Sequence, residues 1–270
     1  MKNWDLLLNK YIVIKLIAQR DFTNLYLIEY KKKKYILKEY KARINSKDYE
    51  NLVYSNFSCE YEHLTKFSSK NIVKIEKKLE INGINYLVLE YCKGTTLKEF
   101  ILTNDLSVTE ILNIFINILI AVKEIHENSI VHMDIKATNI IINMNFEIKI
   151  IDFDSAINIK QNNKLFMKIT DGYSAPELYS TKIAIDERAD IYSLFSLLYF
   201  MLYKQVPMGI INRFYYPELL FNNKINIEVK NLIKKGLSFD RENRFKNIDE
   251  ILEKLLLKNC YLVLFFIILL

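Results

Sequence analysis

The chain has 270 residues, a net charge of +6, 51% hydrophobic and 26% charged residues, five glycines and three prolines. That suffices for one bilobal domain or two small domains sharing a cleft, and it leaves no flexible linker, disordered arm or third domain. The charge is too mild and diffuse for nucleic acid, and the three scattered cysteines, Cys59, Cys92 and Cys260, point to a reducing compartment and away from a structural metal.

At the N-terminus Asp5 and Lys10 interrupt the apolar run that a signal peptide needs, so none is expected. Tyr11 to Ile17, Leu25 to Tyr30 and Tyr35 to Tyr40 are rich in β-branched and aromatic residues and predict three strands of an upper sheet. Lys31 to Lys34 lies between two of them and reads as a solvated hairpin tip rather than a phosphate-binding patch. Asp48 to Phe67 has helical periodicity, with Glu60 and Leu64 on one face. Asn85 to Glu90 is the next strand. Val108 to Asn128 is an apolar helix broken by Asn113 and Asn117, which suits a core helix and not a membrane span.

The stretch from Ile130 to Phe153, IVHMDIKATNIIINMNFEIKIIDF, sets His132, Asp134, Lys136, Asn139 and Asp152 at spacings that make chemical sense together. One Asp can orient and deprotonate a hydroxyl. An Asn five residues on can offer a neutral oxygen to a metal, and a second Asp beyond a strand pair can hold the same metal on phosphate oxygens. IIIN and EIKII read as two short strands with a turn over Asn143 to Phe146, so the polar residues stand at the ends of a small hairpin.

Farther on, Asp190 to Tyr203 predicts a second core helix, with Asp190 near its start, where it can cap the helix or accept backbone N–H groups around His132. Helices near Ile227 to Leu237 and Ile248 to Leu257 close the domain. After Lys258 and Asn259 the run from Tyr261 to Leu270 is wholly apolar. As a helix it reaches only about 16 Å against roughly 30 Å for a bilayer core. Docking on the large lobe, partial insertion into a membrane and a longer parent chain stay open. A membrane or partner contact is favoured, because so apolar an end is costly to expose.

HMDIKATN resembles the catalytic-loop signature of protein kinases, and Asp152-Phe153-Asp154 resembles their metal-binding Asp-Phe-Gly. Ser174-Ala175-Pro176-Glu177 resembles the end of their activation segment. Thr170 sits three residues before Tyr173 as in the serine/threonine branch, and Asp190 and Arg244 fall where the family anchors its large lobe. The chain is thus similar to the eukaryotic-like serine/threonine protein kinase family over roughly residues 11 to 257.

The resemblance implies an α+β, bilobal kinase-like fold. Residues 1–91 would be the sheet lobe, 92–257 the mainly helical lobe and 258–270 an apolar tail. It implies ATP and Mg²⁺ as cofactors, a protein substrate with a Ser or Thr acceptor, a monomer and a cytoplasmic location. Asp134 would be the base, Lys136 would stabilise charge on the transferred group, and Asn139 and Asp152 would hold the metal. Lys38 would contact the α- and β-phosphates. Glu60, preferred over Glu50 and Glu62 for its distance from Ile72-Val73, would pair with Lys38. The carbonyl of Glu90 and the N–H of Cys92 would meet the adenine edge, with Leu25, Ile36 and Ile141 sandwiching the ring. Arg244 would form a buried bidentate pair with Glu177.

Three departures from the family pattern carry their own expectations. Ala18, Arg20 and Thr23 stand where the family has its three phosphate-covering glycines. Their side chains should hold that turn off the phosphates, although Arg20 can replace backbone donors by direct charge. Asp154 replaces a glycine, in a turn that Asp tolerates through left-handed backbone, and can approach the metal. Met133 replaces the arginine that pairs with a phosphorylated activation segment. No Ser, Thr or Tyr lies between Ala156 and Ile169, so no switching by phosphorylation there is expected. The leading reading is an ATP-dependent Ser/Thr kinase. A non-catalytic pseudokinase scaffold is the alternative that the missing glycines favour, and a small-molecule phosphotransferase is the one that Asp152-Phe153-Asp154 favours.

Overall fold

The structure is a computed structural model that describes residues 11–20, 22–41, 46–161, 168–180, 183–221 and 225–258. The apolar run from Tyr261 to Leu270 lies outside the described residues. Among the described residues no helix is long and apolar enough to cross a membrane.

An antiparallel five-stranded sheet in the order β1-β2-β3-β5-β4 forms the upper part. Its strands are β1 (Ile12–Gln19), β2 (Thr23–Tyr30), β3 (Lys33–Tyr40), β4 (Ile75–Ile81) and β5 (Ile84–Glu90). The lysine-rich turn between β2 and β3 is the solvated hairpin tip read from the sequence, with Lys31 and Lys32 at positive φ. Because side chains alternate along a strand, register fixes which residues face the cleft. Lys38 lies opposite Leu25 on one side and Leu87 on the other, and Ile36 lies opposite Leu27 and Leu89, so the three central strands present one surface downward. Leu37, Ile28, Tyr86 and Val88 face the other way and pack into a small cluster of their own with Tyr11.

Helix α1 (Lys47–Leu64) crosses that downward surface. Its buried residues Val53, Asn56, Phe57, Glu60, His63 and Leu64 fall on one helical stripe. Two of them, Glu60 and His63, are ionisable, so the packed face also carries chemistry. Burial, aided by the neighbouring Lys66, holds the His63 imidazole neutral and lowers its pKa from 6.5 to about 4. A base whose folded pKa is lowered gives full stability above its unfolded pKa and loses it as pH falls toward the folded one. Unfolding by urea should therefore become easier between about pH 6.5 and pH 4, and His63→Gln should remove up to about 3 kcal/mol of that acid dependence. An equally steep decline in the variant would show that other groups cause it.

The lower part is helical, with α2 (Leu97–Thr103), α3 (Val108–Glu127), α4 (Arg188–Tyr203), α5 (Ile210–Tyr215), α6 (Ile227–Gly236) and α7 (Ile248–Lys258). A full capping box between Ser107 and Glu110 starts α3. Almost every residue of α4 from Ala189 to Met201 is buried, which makes it the central helix of the large core. Short pairings complete the lower part: β6 (Thr95–Thr96) with β8 (Ile140–Ile142), β8 with β9 (Ile148–Ile150), and β7 (Ile130–Val131) with β10 (Ile157–Asn158). β8 and β9 are the hairpin read from the sequence. They join the upper part where the Val73 N–H donates to the Ile150 carbonyl at 3.0 Å.

Candidate active site

Two groups of residues face each other across the junction of sheet and helices. The upper one centres on Lys38, whose ammonium reaches both carboxylate oxygens of Glu60 at 2.9 and 2.7 Å and Asp152 at 3.1 Å, and also bonds Asp154. The Tyr40 hydroxyl donates to Glu60 from the same face of β3. Burial works against the charge on Lys38, but Asp154, Glu60 and Asp152 outweigh it and hold the ammonium firmly protonated. Glu60 is likewise buried, and Lys38 keeps it ionised. Arg20, from the turn after β1, forms an ion pair with Asp152 and stands 3.7 Å from Asp154.

Asp152 and Asp154 are driven apart. Both are partly withdrawn from water, Asp152 more than Asp154, which disfavours charge, yet Lys38 and Arg20 hold Asp152 well below the usual carboxylate range. Burial and the adjacent Asp152 charge push Asp154 well above it. The backbone differs from expectation here: the left-handed residue is Asp152, at φ 69°, whereas Asp154 has ordinary negative φ. Asp152 takes the left-handed turn because its neighbours fix its flanks. The Ile151 N–H donates to the Asn139 carbonyl at 2.9 Å, and Phe153 is buried against His132 and Phe67, with ring centroids 4.6 and 5.3 Å away.

The lower group centres on Asp134. Lys136 donates to both its oxygens at 2.7 and 2.8 Å, the Thr170 hydroxyl donates at 2.8 Å, and the Asn139 amide donates to its side chain at 3.0 Å and its carbonyl at 2.9 Å. Lys168 stands 3.8 Å away. Asp190, at the start of α4, fixes this loop from below. It accepts from the His132 and Met133 N–H groups at 2.8 Å each and bonds His126 at 2.9 Å, so a fully buried carboxylate is satisfied by three partners. Met133 is held at φ 63°, which turns Asp134 outward from the core. Arg244 meets Glu177 in the expected bidentate pair at 2.7 and 2.8 Å.

A cavity of about 220 Å³ opens beside the upper group. Arg20, Leu25, Ile36, Lys38, Glu60, Glu90, Cys92, Ile141 and Asp152 line it, in keeping with the sequence, while Ala18, Asp134, Lys136 and Asn139 do not. Ala18 lies half-buried in β1 opposite Leu25, and the next turn closes where the Arg20 N–H donates to the Thr23 carbonyl at 2.8 Å. The Glu90 side chain is taken up by Lys149 at 2.6 Å and by the Lys74 N–H at 2.8 Å. Its carboxylate is therefore engaged by these two partners. Burial pushes the Cys92 thiol up to about 12, so it is an apolar wall and not a nucleophile.

Ile17, Val73, Leu89, Ile151 and Gly94 also line the cavity and were not singled out from the sequence. Leu89 was recoverable in principle from its parity with Leu87. Gly94 has φ 147°, and a Cβ there would come within 2.2 Å of the Ile142 carbonyl oxygen, so only glycine lets the chain leave the cavity at this point.

The donor set suits a hard divalent cation. Carboxylate oxygens of Glu60, Asp152 and Asp154 lie within 4.8 Å of one another. Asn139 spends its amide nitrogen on Asp134, so what it can offer a cation is its oxygen.

A family profile described as "Protein kinase domain" matches residues 14–257. The chain is 33% identical over 207 residues to "Serine/threonine-protein kinase PrkC" of Bacillus subtilis, covering 73% of this chain and 31% of that protein. It is 29% identical over 263 residues to "Probable serine/threonine-protein kinase 2" of Plasmodium falciparum, covering 93% and 47%. With "Probable serine/threonine-protein kinase PknB" of Lactococcus lactis the identity is 25% over 260 residues, covering 90% and 41%. The chain spans less than half the length of each of these relatives.

Proposed function

Since the chain belongs to the protein kinase domain family, we propose that it transfers the γ-phosphate of ATP to serine or threonine hydroxyls of a protein substrate. The observation that carries this reading is the convergence on Asp134 of Lys136, Asn139 and Thr170, facing Lys38, Glu60 and Asp152 across one junction. Asp134 takes the proton of the acceptor hydroxyl as its oxygen bonds to the γ-phosphorus and the bond to the β,γ-bridging oxygen breaks, releasing ADP. Lys136 and Thr170 hold Asp134 in place, and Lys136 also offsets charge on the transferred group. Thr170 ties the peptide-docking end of the activation segment to the base.

The apolar walls of the cavity, Leu25, Ile36 and Ile141, suit the adenine ring, and the backbone of Glu90 and Cys92 suits its polar edge. At about 220 Å³ the cavity is below the roughly 300–1,000 Å³ of a whole-ligand site, so it would hold the base while the phosphates run out beneath Arg20 and Lys38. Asp152 and Asn139 would hold Mg²⁺, which supplies charge neutralisation on the phosphate oxygens when bound. Residues 1–91 would act as the nucleotide-covering lobe and 92–257 as the substrate lobe, in a monomeric cytoplasmic enzyme.

Arg20 must leave Asp152 for a metal to reach it, and a phosphate is its natural second partner. Arg20→Ala is therefore expected to raise KM for ATP about tenfold, the worth of one charge-assisted contact, with a smaller effect on kcat. An unchanged or lower KM would mean that Arg20 only obstructs the metal position.

The function is tested by incubating the protein with Mg-ATP labelled at the γ-phosphate and a basic acceptor protein, then measuring ADP and labelled phosphoamino acids. ADP together with phosphoserine or phosphothreonine is expected. Background ADP would identify the non-catalytic scaffold that the glycine-free turn and the Arg20 pair with Asp152 favour. ADP without protein labelling would identify the small-molecule phosphotransferase that Asp154 favours.

A further inference from the structure

Arg213, in α5, is 5% exposed, and its hydrogen bonds go to neutral groups. Its guanidinium donates to the Tyr192 hydroxyl at 2.7 Å and the Leu237 carbonyl at 3.1 Å, while its Nε–H is buried with no partner. The ring of Phe239 lies 4.9 Å beneath it and fixes its plane. A guanidinium has five N–H donors, so three remain unused, and among the described residues no carboxylate forms an ion pair with it. A buried cation held only by neutral groups is costly, and its cost falls most when a planar oxyanion arrives.

Arg213 also lines a cavity of about 510 Å³ between the end of α5 and the end of α6, which shares no lining residue with the cavity beside Lys38. Lys234 adds a second positive charge, and Ser238 a hydroxyl. Glu218, on the rim, is the one carboxylate of this lining. Beside the cavity Ile211, Phe214, Tyr215, Tyr216 and Leu220 are each more than two-thirds exposed, an apolar surround that free phosphate has no use for.

We propose that this cavity is a docking site for a partner protein, taking an aspartate or glutamate carboxylate that is flanked by apolar residues. The acidic group pairs with Lys234 at the rim and with Arg213 at the wall, and the flanking residues cover the exposed apolar side chains of α5. Buried arginines surrounded by aromatic and apolar contacts are the usual anchors of such interfaces.

The test uses the full chain and three fluorescent, capped seven-residue peptides of leucine and phenylalanine, with aspartate, phosphoserine or asparagine at the centre. Fluorescence anisotropy should give at least about tenfold tighter binding for an acidic peptide than for the asparagine one. The aspartate peptide should bind at least as tightly as the phosphoserine one, and clearly tighter binding of phosphoserine would overturn the carboxylate assignment. Because Arg213 also braces the fold, the rim carries the decisive variants. Lys234→Glu should weaken acidic-peptide binding several-fold and Glu218→Gln should strengthen it, with thermal midpoints unchanged. Equal affinity for all three peptides, no binding of any, indifference to both rim variants, or binding of inorganic phosphate without the peptides would overturn the proposal.

Discussion

Replacing Arg244 by methionine is expected to cost about 3–5 kcal/mol of stability, a large part of the roughly 5–15 kcal/mol that a folded domain has in total. The Arg244 side chain is fully buried and Glu177 nearly so. Besides its two bonds to Glu177, the guanidinium donates to the carbonyls of Ser238, Arg188 and Phe239, at 2.8, 2.8 and 3.2 Å. It therefore ties the end of the activation segment to the start of α4 and to the chain after α6. Methionine keeps an unbranched apolar stem but leaves the Glu177 carboxylate buried without a counter-charge, and that unpaired charge is the main penalty. At about 2–4 °C per kcal/mol for a chain of this size, the thermal midpoint should fall by roughly 6–20 °C. The double variant Glu177→Leu with Arg244→Met should recover much of the loss, because an apolar pair needs no compensation. A single-variant loss below about 1 kcal/mol would mean that Glu177 finds water or another cation.

Asp134→Asn is expected to leave the fold and nucleotide affinity nearly unchanged and to lower kcat by about 10²–10⁴. Asparagine keeps the shape of the side chain and an oxygen for Lys136 and Thr170, which now bond it at 2.7 and 2.8 Å. What it removes is the carboxylate proposed to accept the hydroxyl proton. The KM for ATP should move by less than about threefold, since Asp134 does not line the base cavity. A fall in affinity matching the fall in rate would show that Asp134 binds nucleotide instead of activating the acceptor.

Much of this site was legible because its parts come from short-range patterns. The hairpin of β8 and β9 announces itself by isoleucines around a polar turn, and that hairpin separates Asn139 from Asp152 by a fixed length of chain. Lys38 sits in a strand and Glu60 on a helical stripe, so their facing sides follow from the two periods, and the pair forms at 2.7 Å. Where sequence reading missed elements, the pattern itself was absent. β4 carries Glu76, Lys77, Lys78 and Glu80, the charged surface of an edge strand, which hides its period. The helices α2 and α5 are only 7 and 6 residues long, too short to show a stripe. Contacts between distant elements were the least legible. The Arg20 pair with Asp152, the turn of the backbone at Asp152 instead of Asp154, and the burial of Arg213 beneath α5 depend on how the parts stack and not on local order.

We propose that Lys38, Asp152 and Asn139 meet a metal-bound triphosphate at the mouth of the cavity beside Lys38. This is tested most directly by calorimetric titration of the protein with a non-hydrolysable ATP analogue, with and without Mg²⁺, repeated on Asp152→Asn. Magnesium should tighten binding by about tenfold or more in the natural chain and by little in the variant. Equal affinity with and without the metal, or a magnesium effect that Asp152→Asn leaves intact, would contradict the claim.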